Sequence, residues 1–394
     1  MLYNVSGSKI RPTNVKGEFF MKTFFKKAIT ASLALFLGLY CLIGFGNNVS
    51  DDYREYKNVI LMIGDGMGFN TVEATKATRN VSLALDTMPV CARSDTRSFI
   101  LDYTDSAAGG SALSCGIRIW ANSVAIFPFY PFSVTGQKVP VSLTELAKAN
   151  GKSAGVVTTD KTSGATPSAF SAHALGRQLE KTISAQQLKC NLDLLWGCES
   201  DSISKEKCEK NGFSFVQTAS EMEALESGSR SFAQFDFEEM KNCTGEKDTP
   251  SIEQMTKKAI DLLDDNENGF FLMVEGACID KFSHKNNLEM ATLNLVEFDK
   301  AVAYALDYAE KDGDTLVVVT ADHETGGIKY NGVKDEYYYT SEGHTTADVP
   351  VYVSAKDAGF TNKDIVENRQ ISVQIARVMG FGKDQFPAVK GYTM

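Results

Sequence analysis

Short apolar strands alternate with helical patterns along this chain. They predict an α/β fold of three layers, α/β/α, with a central and largely parallel sheet. Two observations carry the prediction. The runs Asn58–Ile63 (NVILMI), Gly155–Thr158 (GVVT), Phe270–Val274 (FFLMV) and Thr315–Thr320 (TLVVVT) are almost continuously apolar, as strands buried on both faces are. Between them lie stretches with helical caps and periodicity, the arrangement that crossover connections of parallel strands require.

The 394 residues, 43% hydrophobic and 23% charged, fit a globular chain with a sizeable core. The formal charge of −10 argues against general nucleic-acid binding. Residues 1–46 read as a leader. From Met21 a basic MKTFFKK segment precedes a mostly apolar run to Gly46, with Gly44 and Gly46 placed for cleavage. The expectation is a signal peptide over Met21–Gly46 and an exported protein, periplasmic or extracellular. An uncleaved membrane anchor is the alternative. A single domain is expected over 55–394.

In chain order, Asn58–Ile63 ends at Gly64-Asp65-Gly66-Met67-Gly68, and Thr71–Arg79 follows as a helix. Residues 86–103 are mixed. Thr104-Asp105-Ser106 then leads into the small-residue run AAGGSALSCG, and the aromatics Phe127, Phe129, Tyr130 and Phe132 mark a loop. Ser142–Asn150 opens with a Ser cap and a Glu three residues on, a capping box. After Gly155–Thr158, Thr166-Pro167 opens a helix whose body is expected to carry His173 and Arg177. Residues 185–250 form a variable, loop-rich segment with Cys190, Cys198, Cys208 and Cys243, candidates for one or two bridges in an exported protein. Ser251–Asp264 is an amphipathic helix, Leu293–Lys311 a long one, Val349–Val353 the last strand and Val366–Met379 the closing helix.

Three of the strands run into an acidic residue: Asp65, Glu275 and Asp322. Sites in open α/β sheets lie at the carboxyl ends of strands, and three carboxylates gathered there repel one another unless cations are bound. His323 follows Asp322. Asp280 and His284 stand four apart just beyond Glu275, on one face if a helix begins there. Three of the four histidines, His284, His323 and His344, fall in these gaps. The pattern predicts a di- or trinuclear metal site, suited to hydrolysis of phosphate esters. Ser106 would stand at a helix N-terminus, where amides and dipole favour an anion.

The segments ILMIGDGMG, TDSAAGGSAL, ATPSAFSAH with Arg177 after it, FFLMVEGACIDKFSH, VVVTADHETGG and GHTTADVPVY together resemble the alkaline phosphatase family. The match covers roughly Asn58 to Tyr352. The resemblance implies one zinc on Asp280, His284 and His344, and a second on Asp65, Asp322 and His323, with Ser106 as the nucleophile beside it. It implies a magnesium on Asp65, Thr166 and Glu275. Arg177 would clamp phosphate, oriented by Asp105, and Lys281 would reach phosphate through a water. A phosphoserine intermediate, small phosphate monoesters as substrates and a homodimer are implied with these. Gly164 departs from the family, because many relatives carry Asp or His there in support of the magnesium shell or of the phosphate water. Ser106 and Arg177 favour a monoesterase over a phosphodiesterase of the same superfamily, and an intact nucleophile argues against a non-catalytic phosphate- or metal-binding protein.

Overall fold

Asn58–Ile63 forms a strand with the expected bounds and lies near the middle of a ten-stranded sheet. The structure, a computed structural model, describes residues 52–126, 139–362, 365–387 and 389–390. The leader and the aromatics at 127–132 lie outside the described residues. Across the sheet the order is Ile365–Glu367, Val90–Asp95, Val349–Val353, Thr315–Thr320, Asn58–Ile63, Phe270–Glu275, Ser153–Lys161, Leu194–Cys198, Ser231–Phe235 and Ser214–Val216. Val349–Val353 runs antiparallel to both its neighbours, and the other described pairs in this sheet are parallel.

Alternation along the strands builds the three layers. Val59, Leu61 and Ile63 pack in one core with Leu143, Leu146, Ile371 and Ile375. Ile60 and Met62 pack in the other with Met255, Ile260, Leu295 and Phe298. Both faces of the sheet are therefore covered by helices, and each large side chain so buried contributes about 1.5–3 kcal/mol. Register aligns the strand ends that matter. Ile63 lies opposite both Glu275 and Thr320, so Asp65, Glu275 and Asp322 emerge side by side.

Five expectations are corrected. The helix opened by Thr166-Pro167 covers only Ala165–Ala169, so His173 and Arg177 lie beyond it. The chain must leave the helix to form the Val124–Ala174 bridge, and Arg177 N–H donates to Asn122 O. The region 185–250 is not loop-rich throughout. Leu194–Cys198, Ser214–Val216 and Ser231–Phe235 extend the sheet, each too short to give a clear periodic signal. None of the candidate bridges forms, and no disulfide joins any of the seven described cysteines. Cys198 Sγ–H donates to Thr159 O, Cys208 packs in the core and Cys243 Sγ–H donates to Asn294 Oδ1. Within 86–103, Val90–Asp95 is a strand whose half-exposed pattern hid it. The long helix starts earlier than expected, at Leu288, because the Asn287 side chain accepts from Met290 N–H and caps it.

Candidate active site

The three strand-end acids are buried: Asp65 is 6% exposed, Glu275 1% and Asp322 not at all. Burial pushes the Glu275 carboxyl up to about 8, with Asp160 adding to the rise while the Thr158 and Thr166 hydroxyls oppose it. Burial, then Asp280, raises Asp322 to about 7. Asp65 lies well above the carboxylate range through burial and the adjacent Asp322. Asp65 Oδ1 and Asp322 Oδ2 are buried with no hydrogen-bond partner. Buried oxygens left unpaired cost stability, and a cation among them removes the cost.

The histidines point the same way. His344 is brought in by a short antiparallel pair in which Thr325 lies opposite His344. His284 Nδ1 lies 2.5 Å from Glu342 O and His344 Nδ1 lies 2.8 Å from Thr104 O. A carbonyl only accepts, so in the neutral rings both protons sit on Nδ1. Thr325 Oγ1–H donates to Asp280 Oδ1 at 2.5 Å and lies 3.2 Å from His323 Nδ1, so it accepts from that ring. All three imidazoles thus turn an unprotonated Nε2 inward, the arrangement that outer partners impose on metal-ligating histidines. Burial, with the neighbouring His344 and His284, drives the His323 pKa well down and keeps it neutral. His284 and His344 then face each other Nε2 to Nε2 at 3.0 Å, lone pair against lone pair, which calls for an electrophile between them.

The ligand atoms form two groups. In the first, Asp280 Oδ1 is 3.4 Å from His284 Nε2 and 3.8 Å from His344 Nε2. In the second, His323 Nε2 is 3.5 Å from Asp65 Oδ1 and 3.3 Å from Asp322 Oδ2. Ligand atoms around a tetrahedral ion with bonds of about 2.0–2.1 Å stand about 3.3 Å apart. Both groups fit a small cation. The His323 and His344 rings stack at 3.6 Å between centroids, which makes the two groups adjacent.

Ser106 begins a ten-residue helix, Ser106–Cys115, that is buried throughout. Its Oγ lies 3.1 Å from His323 Nε2, in the second group. Asp105 caps the helix and does more. Asp105 Oδ1 accepts from Ala108 N–H and Asn122 N–H, at 3.2 and 2.8 Å, while Oδ2 accepts from Arg177 Nη1 at 3.1 Å. Burial works to lower the Arg177 pKa and Asp105 more than reverses it, so the guanidinium stays charged. The glycines explain how the helix comes so close. A Cβ on Gly109 would stand 2.6 Å from Asp322 O and 3.0 Å from Asp322 Cβ. Gly109→Ala is expected to cost about 1–3 kcal/mol by overpacking, lowering the melting temperature and, by lifting Ser106 off His323, turnover as well. An unchanged melting temperature and turnover would contradict this packing.

Of the residues picked from sequence, Asp65, Ser106, Asp280, His284, Asp322, His323 and His344 converge on one cavity, with Asp105 and Arg177 at its edge. Thr166 and Glu275 stand on the Ala165–Ala169 helix and the Phe270–Glu275 strand, with Thr166 beside Glu275 and Glu275 close enough to Asp65 to raise its pKa. Lys281 points instead at Asp160, with Nζ 3.0 Å from Oδ1. His173, assigned no metal role, donates Nδ1–H to Ala125 O and lies 3.3 Å from Glu145. Sequence reasoning missed Thr325, Thr158 and Asp160. Thr325 lay within the quoted TADHETGG run. Thr158 donates to Glu275 from the adjoining strand, a relation that only register reveals.

The family described as "Alkaline phosphatase" has a model that matches residues 56–194 and 197–368. The chain is 31% identical over 354 residues to alkaline phosphatase 4 of Bacillus subtilis, covering 83% of this chain and 72% of that one. Its structure is similar to alkaline phosphatase from the Antarctic bacterium TAB5, with a TM-score of 0.71 and 27% identity, over 84% of this chain and all of that chain. A mutant of the TAB5 protein has magnesium bound in its M3 site. The Thermus thermophilus alkaline phosphatase, at 18% identity and a TM-score of 0.76 over 86% of this chain and 94% of that one, shares the fold. On the matched segments and the cavity they build, this chain belongs to the alkaline phosphatase family and is a phosphomonoester hydrolase.

Proposed function

We propose that the protein is an exported alkaline phosphatase that hydrolyses small phosphate monoesters through a phosphoserine on Ser106, at a two-zinc plus magnesium site. The observation that carries this reading is the ring of inward-facing Nε2 atoms and unpartnered carboxylate oxygens around Ser106 Oγ, with Arg177 held beside it. Mixed imidazole and carboxylate donors suit zinc. Asp280, His284 and His344 would hold one ion, and Asp65, Asp322 and His323 the other. Asp65, Thr166 and Glu275 offer only oxygen, which suits magnesium. When bound, the ions supply Lewis acidity that favours the serine alkoxide and stabilises the leaving oxygen.

The chain's own residues do the rest. Arg177, oriented by Asp105, grips two non-bridging oxygens in a fork and presents phosphorus to Ser106. Ser106 Oγ gives up its proton and forms a bond to phosphorus as the bond to the leaving oxygen breaks, and that oxygen takes up a proton and departs as the alcohol. The helix N-terminus stabilises the anionic phosphoseryl group. Water then attacks phosphorus, the Oγ bond breaks, and inorganic phosphate leaves with Ser106 restored. Export rests on the leader's basic and apolar segments. No helix among the described residues is long and apolar enough to cross a membrane.

The test compares an aryl phosphate monoester with a bis-aryl diester, zinc and magnesium being supplied. Monoester turnover should dominate. Arg177→Lys, which keeps the charge but loses the fork, should lower monoester kcat/KM by roughly 10- to 100-fold and narrow the gap between the two substrates. Preferred diester turnover, unaffected by Arg177→Lys, would overturn the monoesterase reading.

A further inference from the structure

Lys281 stands between two cavity residues, Asp280 and His284, yet its ammonium is engaged by an acid that no sequence pattern marked. Nζ lies 3.0 Å from Asp160 Oδ1, and the two side chains are 33% and 15% exposed, so the pair is partly withdrawn from water. Asp160 is held by the strand pair that carries Glu275. Thr158, opposite Glu275 in register, donates its hydroxyl to Glu275 and accepts from Asp160 N–H at 2.8 Å.

Gly164 belongs to the same arrangement. Its φ of −57° and ψ of 165° are open to any residue, so glycine is not required there for backbone conformation. Space is the constraint. A Cβ on Gly164 would press on Asp160 Oδ2 and stand 2.9 Å from both Asp160 Cγ and Lys161 O. A side chain at 164 and Asp160 in this rotamer exclude each other.

We infer that Asp160 is the positioning residue for Lys281: its carboxylate occupies the space that Gly164 leaves open and holds the ammonium at the cavity rim for the substrate's phosphate dianion. The inference rests on the monoesterase reading for the identity of that dianion. It gives the site a second tethered cation. Asp105 holds Arg177 and Asp160 holds Lys281, so each cation is oriented by a carboxylate from another segment of the chain. The absent side chain at 164 is thereby not a lost group. The carboxylate enters from four residues earlier.

The test uses the full chain with zinc and magnesium, and reads inhibition by inorganic phosphate together with KM and kcat. Asp160→Asn and Lys281→Ala should each weaken phosphate binding about 10-fold, and the double variant should be no worse than either, because the two act as one unit. Gly164→Ala alone should also weaken phosphate binding, since it displaces Asp160 and supplies no carboxylate in its place. Asp160→Gly with Gly164→Asp should restore binding to within about 3-fold of the original by returning one carboxylate to the same space. Multiplying effects in the double variant, or a harmless Gly164→Ala, would overturn the inference. A separate arm needs no turnover. In chelated protein, Gly164→Ala should lower the melting temperature and Asp160→Gly should recover part of that loss, the contact with Lys161 O remaining. If the wild type hydrolyses no monoester, the monoesterase reading falls, while the melting arm still decides whether Asp160 fills the space at Gly164.

Discussion

Ser106→Ala is expected to lower monoester turnover by roughly 10³-fold or more, the scale of loss when a serine hydrolase loses its nucleophile. The fold should survive. Ser106 is a buried residue of the helix it begins, and alanine is a better helix former with no polar atom to satisfy. Asp105 still caps the helix by accepting from Ala108 N–H, and His323 keeps its tautomer because Thr325 sets it. Binding and catalysis should therefore separate. Phosphate should still inhibit, through Arg177, while acid quenching should trap labelled phosphate on the wild-type serine and none on the variant. Turnover within 10-fold of wild type would rule out the covalent route on Ser106.

Removing the metals should abolish turnover and reverse how stability depends on pH. In the metal-free protein Asp322 and Glu275 titrate near 7 and 8, and Asp65 is also raised, in each case through burial first. Unfolded carboxyls titrate near 4. Between those values the folded chain holds protons that the unfolded chain has released, so stability falls as pH rises. The stabilisation is fully present below about pH 4 and is lost as pH passes through 7 to 8. Chelated protein should accordingly melt several degrees lower at pH 8 than at pH 5. Glu275→Gln should flatten the trend, because an amide has no charge to bury. Protein supplied with zinc and magnesium should be the more stable form at pH 8, since ions favour the ionised ligands. A chelated melting temperature that rises toward pH 8 would contradict the buried-carboxylate account.

How much was legible depended on the range of the interaction. Asn58–Ile63 and Thr315–Thr320 could be bounded to the residue because strands buried on both faces must be apolar at every position. The cap at Ser142 was legible because a capping box is contained within four residues. Val90–Asp95 was hidden by its half-exposed alternation. The helix expected to carry Arg177 failed for a different reason. Helical periodicity continued past Ala169, but the bridge from Val124 to Ala174 overrode it, and no local pattern encodes a pairing 50 residues away.

The candidate site divides in the same way. The sequence by itself determined which residues could do the chemistry. Asp65, Glu275 and Asp322 stand where apolar strands stop, and an acid placed there must meet a cation. Only the tertiary structure decided how those residues are used. It turned three Nε2 atoms inward through carbonyls at Thr104 and Glu342 and the hydroxyl of Thr325, and it seated the Ser106 helix on Asp322 through Gly109. It also put Asp160 into the space at Gly164. Tautomer, close approach and steric exclusion depend on atoms brought together from distant parts of the chain, and those contacts exist only once the sheet has set its register.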